Sequence, residues 1–234
     1  MKHIDKFETF FKFLSEQNEI HNLTRIVSRE DVYEKHFKDS LSAMSFIADK
    51  SKVVDIGAGG GFPSIPLAIE MPNVEFLLVD SVGKKVEFLK QSISLLGLTN
   101  ASAVHMRAED LAIKQREQFD IGVARAVAPM PTLLEYLAPL VKVGGTIIAF
   151  KGSSYKEEIE QAKNAEKLLG LKLETIFKYN VGARPETSPL DSGCSQVQPL
   201  QSDPQTRVLV IYKKVEATNK KYPRIQNKPR TNPL

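Results

Sequence analysis

The chain has 234 residues, of which 42% are hydrophobic and 26% charged, with a formal net charge of +4, the balance of a globular protein with one main core and an appendage. No stretch reaches the roughly 20 apolar residues that span a membrane, and the opening MKHIDKFETFFKFLSEQNEI interleaves charges where a secretory leader has an apolar run, so a cytoplasmic protein is expected. The single cysteine, Cys194, has no partner for an internal disulfide and no ligand-spaced neighbours for a metal, which fits a reducing compartment and predicts no metal site.

In residues 4–20, Ile4, Phe7, Phe10, Phe11 and Leu14 recur at spacings of three and four and predict a helix with one apolar face, better suited to a core than to stacking bases. After a break at Asn22 to Val27, Ser28 followed by Asp31 reads as a capping box. It opens a second helix with Val32, Phe37, Leu41, Met44 and Ile47 as apolar positions. Residues 1–50 thus form an N-terminal helical segment.

From Lys52 the rhythm changes to short β-rich runs, KVVDI, VEFLLVD, ASAVHM, FDIGVA and GTIIAF, separated by stretches of helical period. That alternation predicts βαβ units: an α/β, Rossmann-like domain over 51–214 with a mostly parallel, twisted sheet covered on both faces. Two further strands, KLETIFKY (172–179) and RVLVIYKK (207–214), have no helix-length pattern between them, so the last is expected to run antiparallel. The connector over 180–205 is rich in Pro, Gly and Ser and reads as a mobile loop or insertion.

The end of the chain carries the charge excess. From Lys213 onward there are seven basic residues against Glu216 alone, leaving 25 basic and 27 acidic residues before it. The basic tail, 215–234, reads either as a contact for polyanions or as an unstructured solubilising end.

The strongest local signal is Val53-Val54-Asp55-Ile56-Gly57-Ala58-Gly59-Gly60-Gly61-Phe62-Pro63, a buried strand running through a glycine-rich turn into a helix with Pro63 in its first turn. Gly57, Gly59 and Gly61 let the backbone bend and approach a ligand, and the helix start offers free N–H groups. The spacing is G-x-G-x-G and not the G-x-G-x-x-G of a dinucleotide site, and Asp55 would repel a pyrophosphate while attracting the ammonium and sulfonium of S-adenosylmethionine. Asp80 ends the next strand, where a carboxylate accepts from both ribose hydroxyls; a helix N-cap is its bland alternative. Glu109 is placed to border the adenine, or else is a solvated helix start.

These segments, together with Asn22-Leu23-Thr24, His36 to Asp39-Ser40-Leu41, DIGAGGGFPSIPLAI, Arg107-Ala108-Glu109, Ala124-Arg125-Ala126-Val127-Ala128, Lys151-Gly152 and Tyr222-Pro223-Arg224 to Pro233-Leu234, resemble the RsmG (GidB) family over nearly the whole chain. These are bacterial methyltransferases of small-subunit ribosomal RNA with a class I methyltransferase fold. The resemblance implies S-adenosylmethionine as cofactor and N7 of a guanosine in 16S ribosomal RNA of the small subunit as acceptor, with no membrane and no stable protein partner. It implies cofactor contacts from Gly57, Phe62, Ala108, Glu109 and Arg125, and a site-facing role for His36 and Asp39. Lys151 and Arg224 fall in matching segments and are taken as RNA-binding. The connector from Asn180 to Gln205 is longer than the family pattern, and the tail ending IQNKPRTNPL has fewer Gly and Lys residues.

Guanine N7 has an in-plane lone pair and needs no deprotonation before attacking a methyl sulfonium, so no dedicated base is expected. Arg125, at a strand's C-terminal end, would hold the cofactor carboxylate or an RNA phosphate and, with Lys151, position the reactants. On this reading Arg125→Ala weakens binding or turnover without unfolding the protein. The alternatives are a small-molecule methyltransferase, which has no need of a basic C-terminus, a nicotinamide dehydrogenase, disfavoured by the loop spacing and Asp55, and a non-catalytic RNA-binding module.

Overall fold

The computed structural model describes residues 1–181, 205–225 and 228–234. Most of the 180–205 connector, with Cys194, lies outside the described residues. The first helix, α1 (Ile4–His21), buries Phe7, Phe10 and Leu14 and ends where Asn22 turns into the left-handed region at φ 50° and donates its N–H to the Asn18 carbonyl. Phe11 is partly buried and Ile4 remains exposed. Ser28 caps α2 (Arg29–Val32) by accepting from the Asp31 amide at 3.1 Å. The expected second helix is not uniform: a π-helical stretch, Tyr33–Lys38, separates α2 from α3 (Asp39–Leu41), and a single 3₁₀ turn, Met44–Phe46, follows. Side-chain spacing does not report the extra residue of a π turn, a device that recurs at functional sites.

The remaining elements alternate. They are β1 (Lys52–Ile56), α4 (Ser64–Glu70), β2 (Glu75–Asp80), α5 (Gly83–Leu95), β3 (Ala101–His105), α6 (Ala108–Lys114), β4 (Phe119–Arg125), α7 (Met130–Leu137), β5 (Val141–Lys151), α8 (Tyr155–Gln161), α9 (Lys163–Leu169), β6 (Leu171–Val181), β7 (Gln205–Lys214) and α10 (Lys228–Thr231). The seven strands form one sheet in the order β3-β2-β1-β4-β5-β7-β6. Pairs among β1 to β5 are parallel, while β7 inserts between β5 and β6 and runs antiparallel to both. This is the expected Rossmann-like topology, with its switch point where β1 meets β4.

Alternate residues of each buried strand serve two cores, because successive side chains point to opposite faces. Val53, Phe76, Val123 and Ile148 face a core shared with α1, α4 and α5, in which Phe7, Phe10, Phe37 and Phe88 are 0–1% exposed. Val54, Val79, Ala124 and Ile147 face the other core, beneath α6, α7 and α9. The N-terminal helices are therefore one covering layer of the sheet and not an appendage. Cutting a ring such as Phe10 to Ala removes about 3–5 kcal/mol of packing.

The tail is the clearest departure from expectation, because its described part is docked and not a solvated end. Arg116 donates to the carbonyls of Thr218, Asn219 and Tyr222 at 2.6, 3.0 and 2.8 Å. Thr132 of α7 donates to the Pro229 carbonyl at 2.7 Å, and Tyr222 is buried in the second core. Two of the seven basic residues are spent inside the protein: Lys214, fully buried, pairs with Glu117 at 3.1 Å, and Arg224 pairs with Glu135.

Candidate functional site

Five strand ends converge on one edge of the sheet, and the segments that leave them line two adjoining cavities. The first, of about 310 Å³, lies over β1, β2, β3 and β4 and is lined by Gly57, Asp80, Ala108, Glu109, Val127 and Arg230 among others. The second, of about 550 Å³, lies over β4 and β5 and is lined by Asp39, Arg125, Lys151, Glu158, Tyr179 and Arg207 among others. Ala126, Val127 and Ala128, directly after β4, belong to both walls. Cavities of this size at a switch point are where sheets of this kind take small ligands.

The glycine loop is shaped as its sequence suggests. Gly57 sits at φ 73°, and a Cβ there would lie 2.6 Å from Cγ2 of Val127. Gly61, at φ 89°, has Ile65 at 2.7 Å in the same sense. Asp80 braces the loop: Oδ2 accepts from the Gly59 amide at 3.0 Å and Oδ1 from the Val82 amide at 2.9 Å. Asp80 still lines the first cavity, and each oxygen retains a lone pair for a ligand. It is not the N-cap of α5, a place taken by Val82. Pro63, expected in the first turn of α4, is its N-cap.

Asp55 does not face the cavity as expected. It lines neither pocket and is 1% exposed, and among the described residues neither carboxylate oxygen has a hydrogen bond of good geometry. Burial pushes its carboxyl up to about 7, against the pull of the Ser64 hydroxyl and amide.

Arg125 organises the second cavity. Its Nη1 lies 3.0 Å from Oδ2 of Asp39, and its Nη2 donates to the Lys35 carbonyl at 3.0 Å and to Nδ1 of His36 at 2.6 Å. Nδ1 of His36 also lies 3.1 Å from the Lys35 carbonyl, and Nε2 lies 2.7 Å from the Thr24 hydroxyl, so both ring nitrogens are engaged. Burial, with the Arg125 charge adding to it, pulls the imidazole down to about 3 and keeps it neutral. The His36 ring stacks on Phe62 at 4.3 Å between centroids, and Phe62 in turn packs on Phe10 and Phe37. Asp39 also accepts from the Tyr179 hydroxyl at 2.8 Å. Lys151 donates to Glu158 at 2.6 Å and to the Ala128 carbonyl at 2.9 Å.

The structure thus gathers Gly57, Asp80, Ala108 and Glu109 at the first cavity and Asp39, Arg125 and Lys151 at the second. His36 and Phe62 stand behind Arg125, and Gly59 and Gly61 shape the loop without lining either cavity. Arg224 lies elsewhere, held by the 0% exposed carboxylate of Glu135 through contacts of 2.7 to 3.2 Å. Sequence reasoning missed Tyr179, Glu158, Arg207 and Arg230. Tyr179 and Arg207 carry no motif and become neighbours only through the β6–β7 register, while Arg230 was visible as tail charge without a place.

A glycine loop after β1, carboxylates at the cavity over β2 and β3, and a seven-stranded sheet with an antiparallel β7 define the class I methyltransferase fold. Solved structures agree on the fold: M. jannaschii TYW2 in complex with AdoMet superposes with a TM-score of 0.54 at 18% identity, covering 80% of this chain and 77% of that one. The YcgJ protein of Bacillus subtilis gives 0.56 at 18% identity over 77% of this chain and 100% of that one.

Residues 3–185 match the family model for rRNA small subunit methyltransferase G, GidB, and the chain belongs to that family. Curated relatives of that name include one from Lactobacillus helveticus, 42% identical over 100% of this chain and 92% of the relative, and one from Acetivibrio thermocellus, 43% identical over 99% and 88%. Among the described residues no helix is long and apolar enough to cross a membrane, and no group of His, Cys, Asp and Glu is placed to hold a metal ion.

Proposed function

We propose that this chain transfers the methyl group of S-adenosylmethionine to N7 of a guanosine in 16S ribosomal RNA of the small ribosomal subunit, in the cytoplasm. Family membership supports the chemistry and the RNA class. The observation that carries the reading is the pair of cavities sharing the wall Ala126 to Ala128, one rimmed by the carboxylates of Asp80 and Glu109, the other by three cationic side chains against two carboxylates.

The residues of the first cavity fit the cofactor. Asp80 and Glu109 accept from hydroxyl and amino groups, Ile56, Val79, Met106 and Val127 supply apolar walls, and the orphaned carboxylate of Asp55 beneath the loop favours a cation above it. S-adenosylmethionine supplies an electrophilic methyl group. The protein's share of the chemistry is placement. Arg125, Lys151 and Arg207 suit guanine O6 and the neighbouring phosphates, leaving the N7 lone pair to meet the methyl group, and Asp39 and Glu158 are acceptors placed for its N–H groups. Holding the partners in line contributes up to roughly 7–11 kcal/mol in the best cases. No base is needed, and the histidine nearest the second cavity is neutral and committed to Arg125 and Thr24.

A helical guanosine hides N7 in a deep, narrow groove, so the acceptor is a loop or bulge nucleotide. The test is transfer of labelled methyl to small subunits from cells lacking this enzyme, followed by nucleoside analysis. Label in 7-methylguanosine supports the proposal; label in another nucleoside rejects the N7 assignment. No transfer despite cofactor binding favours the small-molecule alternative. Affinity for RNA should fall steeply with added salt, since phosphate contacts release counterions.

A further inference from the structure

The outer strand β6 exposes large hydrophobic side chains, among them Phe177, 39% exposed. Phe177 lies almost flat against Tyr179, with centroids 5.8 Å apart and planes 21° apart, and its other neighbour, Phe46, meets it edge-on at 5.4 Å. The row has a fixed inner end, because Tyr179 lines the second cavity and its hydroxyl is tied to Asp39, the partner of Arg125. An aromatic ladder therefore runs from the proposed acceptor cavity along the edge strand, from Tyr179 through Phe177 to Phe46. An exposed aromatic ring on an edge strand invites unwanted association, so Phe177 beside a cationic cavity calls for an occupant.

We propose that Phe177 is a stacking platform for the unpaired RNA base next to the target guanosine, an assignment that rests on the RNA-methylating reading above. Two features select this occupant. The ladder is continuous with the cavity through Tyr179, and the cavity wall supplies Arg125, Lys151 and Arg207 for phosphates. A base presents a π face whatever its identity, and aromatic side chains grip single-stranded RNA in this way. The ladder keeps the displaced guanosine in the cavity by giving its neighbour a new stacking partner outside it.

The test compares Phe177→Ala, Phe177→Leu and Phe177→Tyr in methyl transfer to small subunits, with S-adenosylmethionine affinity and the fluorescence of a 2-aminopurine-labelled single-stranded RNA as further readouts. The Ala and Leu variants are expected to raise KM for the RNA substrate about tenfold, within the range for losing one base–aromatic stack, with cofactor affinity unchanged and fluorescence quenching lost. Tyr should restore both. Leu keeps the apolar packing, so a Leu variant that matches the wild type overturns the platform and leaves the row to a protein partner. Loss of cofactor affinity in step with KM also overturns it. A wild-type protein that quenches the labelled RNA but transfers no methyl rejects the RNA-methylating reading and leaves the platform standing.

Discussion

Nη1 of Arg125 lies 3.0 Å from Oδ2 of Asp39, with side-chain exposures of 15% and 3%, so the residue at the end of β4 and the residue opening α3 form one buried charge pair at the wall of the second cavity. The same guanidinium polarises His36 and cross-braces the π-helical stretch through the Lys35 carbonyl. Arg125 is therefore both a wall of the site and a structural strut.

That dual role changes the expectation for Arg125→Ala. Removing the guanidinium leaves the buried carboxylate, which still accepts from the Tyr179 hydroxyl, without this cation, a loss of about 3–5 kcal/mol for a broken buried pair. Thermal unfolding should shift down together with activity, contrary to the sequence reading of a purely functional loss. Arg125→Gln combined with Asp39→Asn removes both charges and should recover most of the melting temperature but not the turnover. Recovery of turnover along with stability would show that Arg125 serves only as a strut.

Gly57→Ala places a Cβ 2.6 Å from Val127 Cγ2 at a φ of 73°. The backbone strain alone costs about 1–3 kcal/mol. Cofactor affinity measured by calorimetry should fall about tenfold or more. Adding Val127→Ala relieves the contact but not the φ, so rescue should be partial; full rescue would mean the backbone conformation is immaterial.

The carboxyl of Asp55 is raised to about 7 from an ordinary value of 3.8. Its protonated form is the one the fold prefers, so its contribution to stability is complete below about 4 and is lost as pH rises to about 7. Asp55→Asn should raise the melting temperature at pH 8 and leave it little changed at pH 4. A cationic cofactor above the loop favours the carboxylate, so affinity should increase from pH 6 to pH 8 with release of a proton. Titrations in buffers of different ionisation enthalpy check this, and an identical pH profile in the Asn variant would sink the assignment.

Arg224→Ala strands Glu135, which is 0% exposed, and frees the segment that carries Arg230 to the first cavity. The expected result is a destabilisation of about 3–5 kcal/mol together with weaker cofactor binding. Arg230→Ala, an exposed position, should weaken cofactor binding without lowering the melting temperature. Unchanged cofactor affinity in both variants would make the tail a scaffold alone.

The sequence by itself determined the αβ alternation, the antiparallel end of the sheet and the glycine loop, because these depend on local periodicity and on residue types that only certain backbones accept. It also placed Asp80, Ala108 and Glu109 at strand ends, where topology turns position in the chain into position at the crevice. The tertiary structure alone decided the rest. Asp55 reads as ligand-facing until the loop closes over it, and the tail reads as solvated charge until Glu135 and Arg116 are seen to hold it. The gathering of His36, Asp39, Arg125 and Tyr179 depends on contacts between residues up to 140 positions apart. Such contacts are selected by the packing of two helical layers on one sheet, and no local pattern encodes which distant partner a buried charge will find.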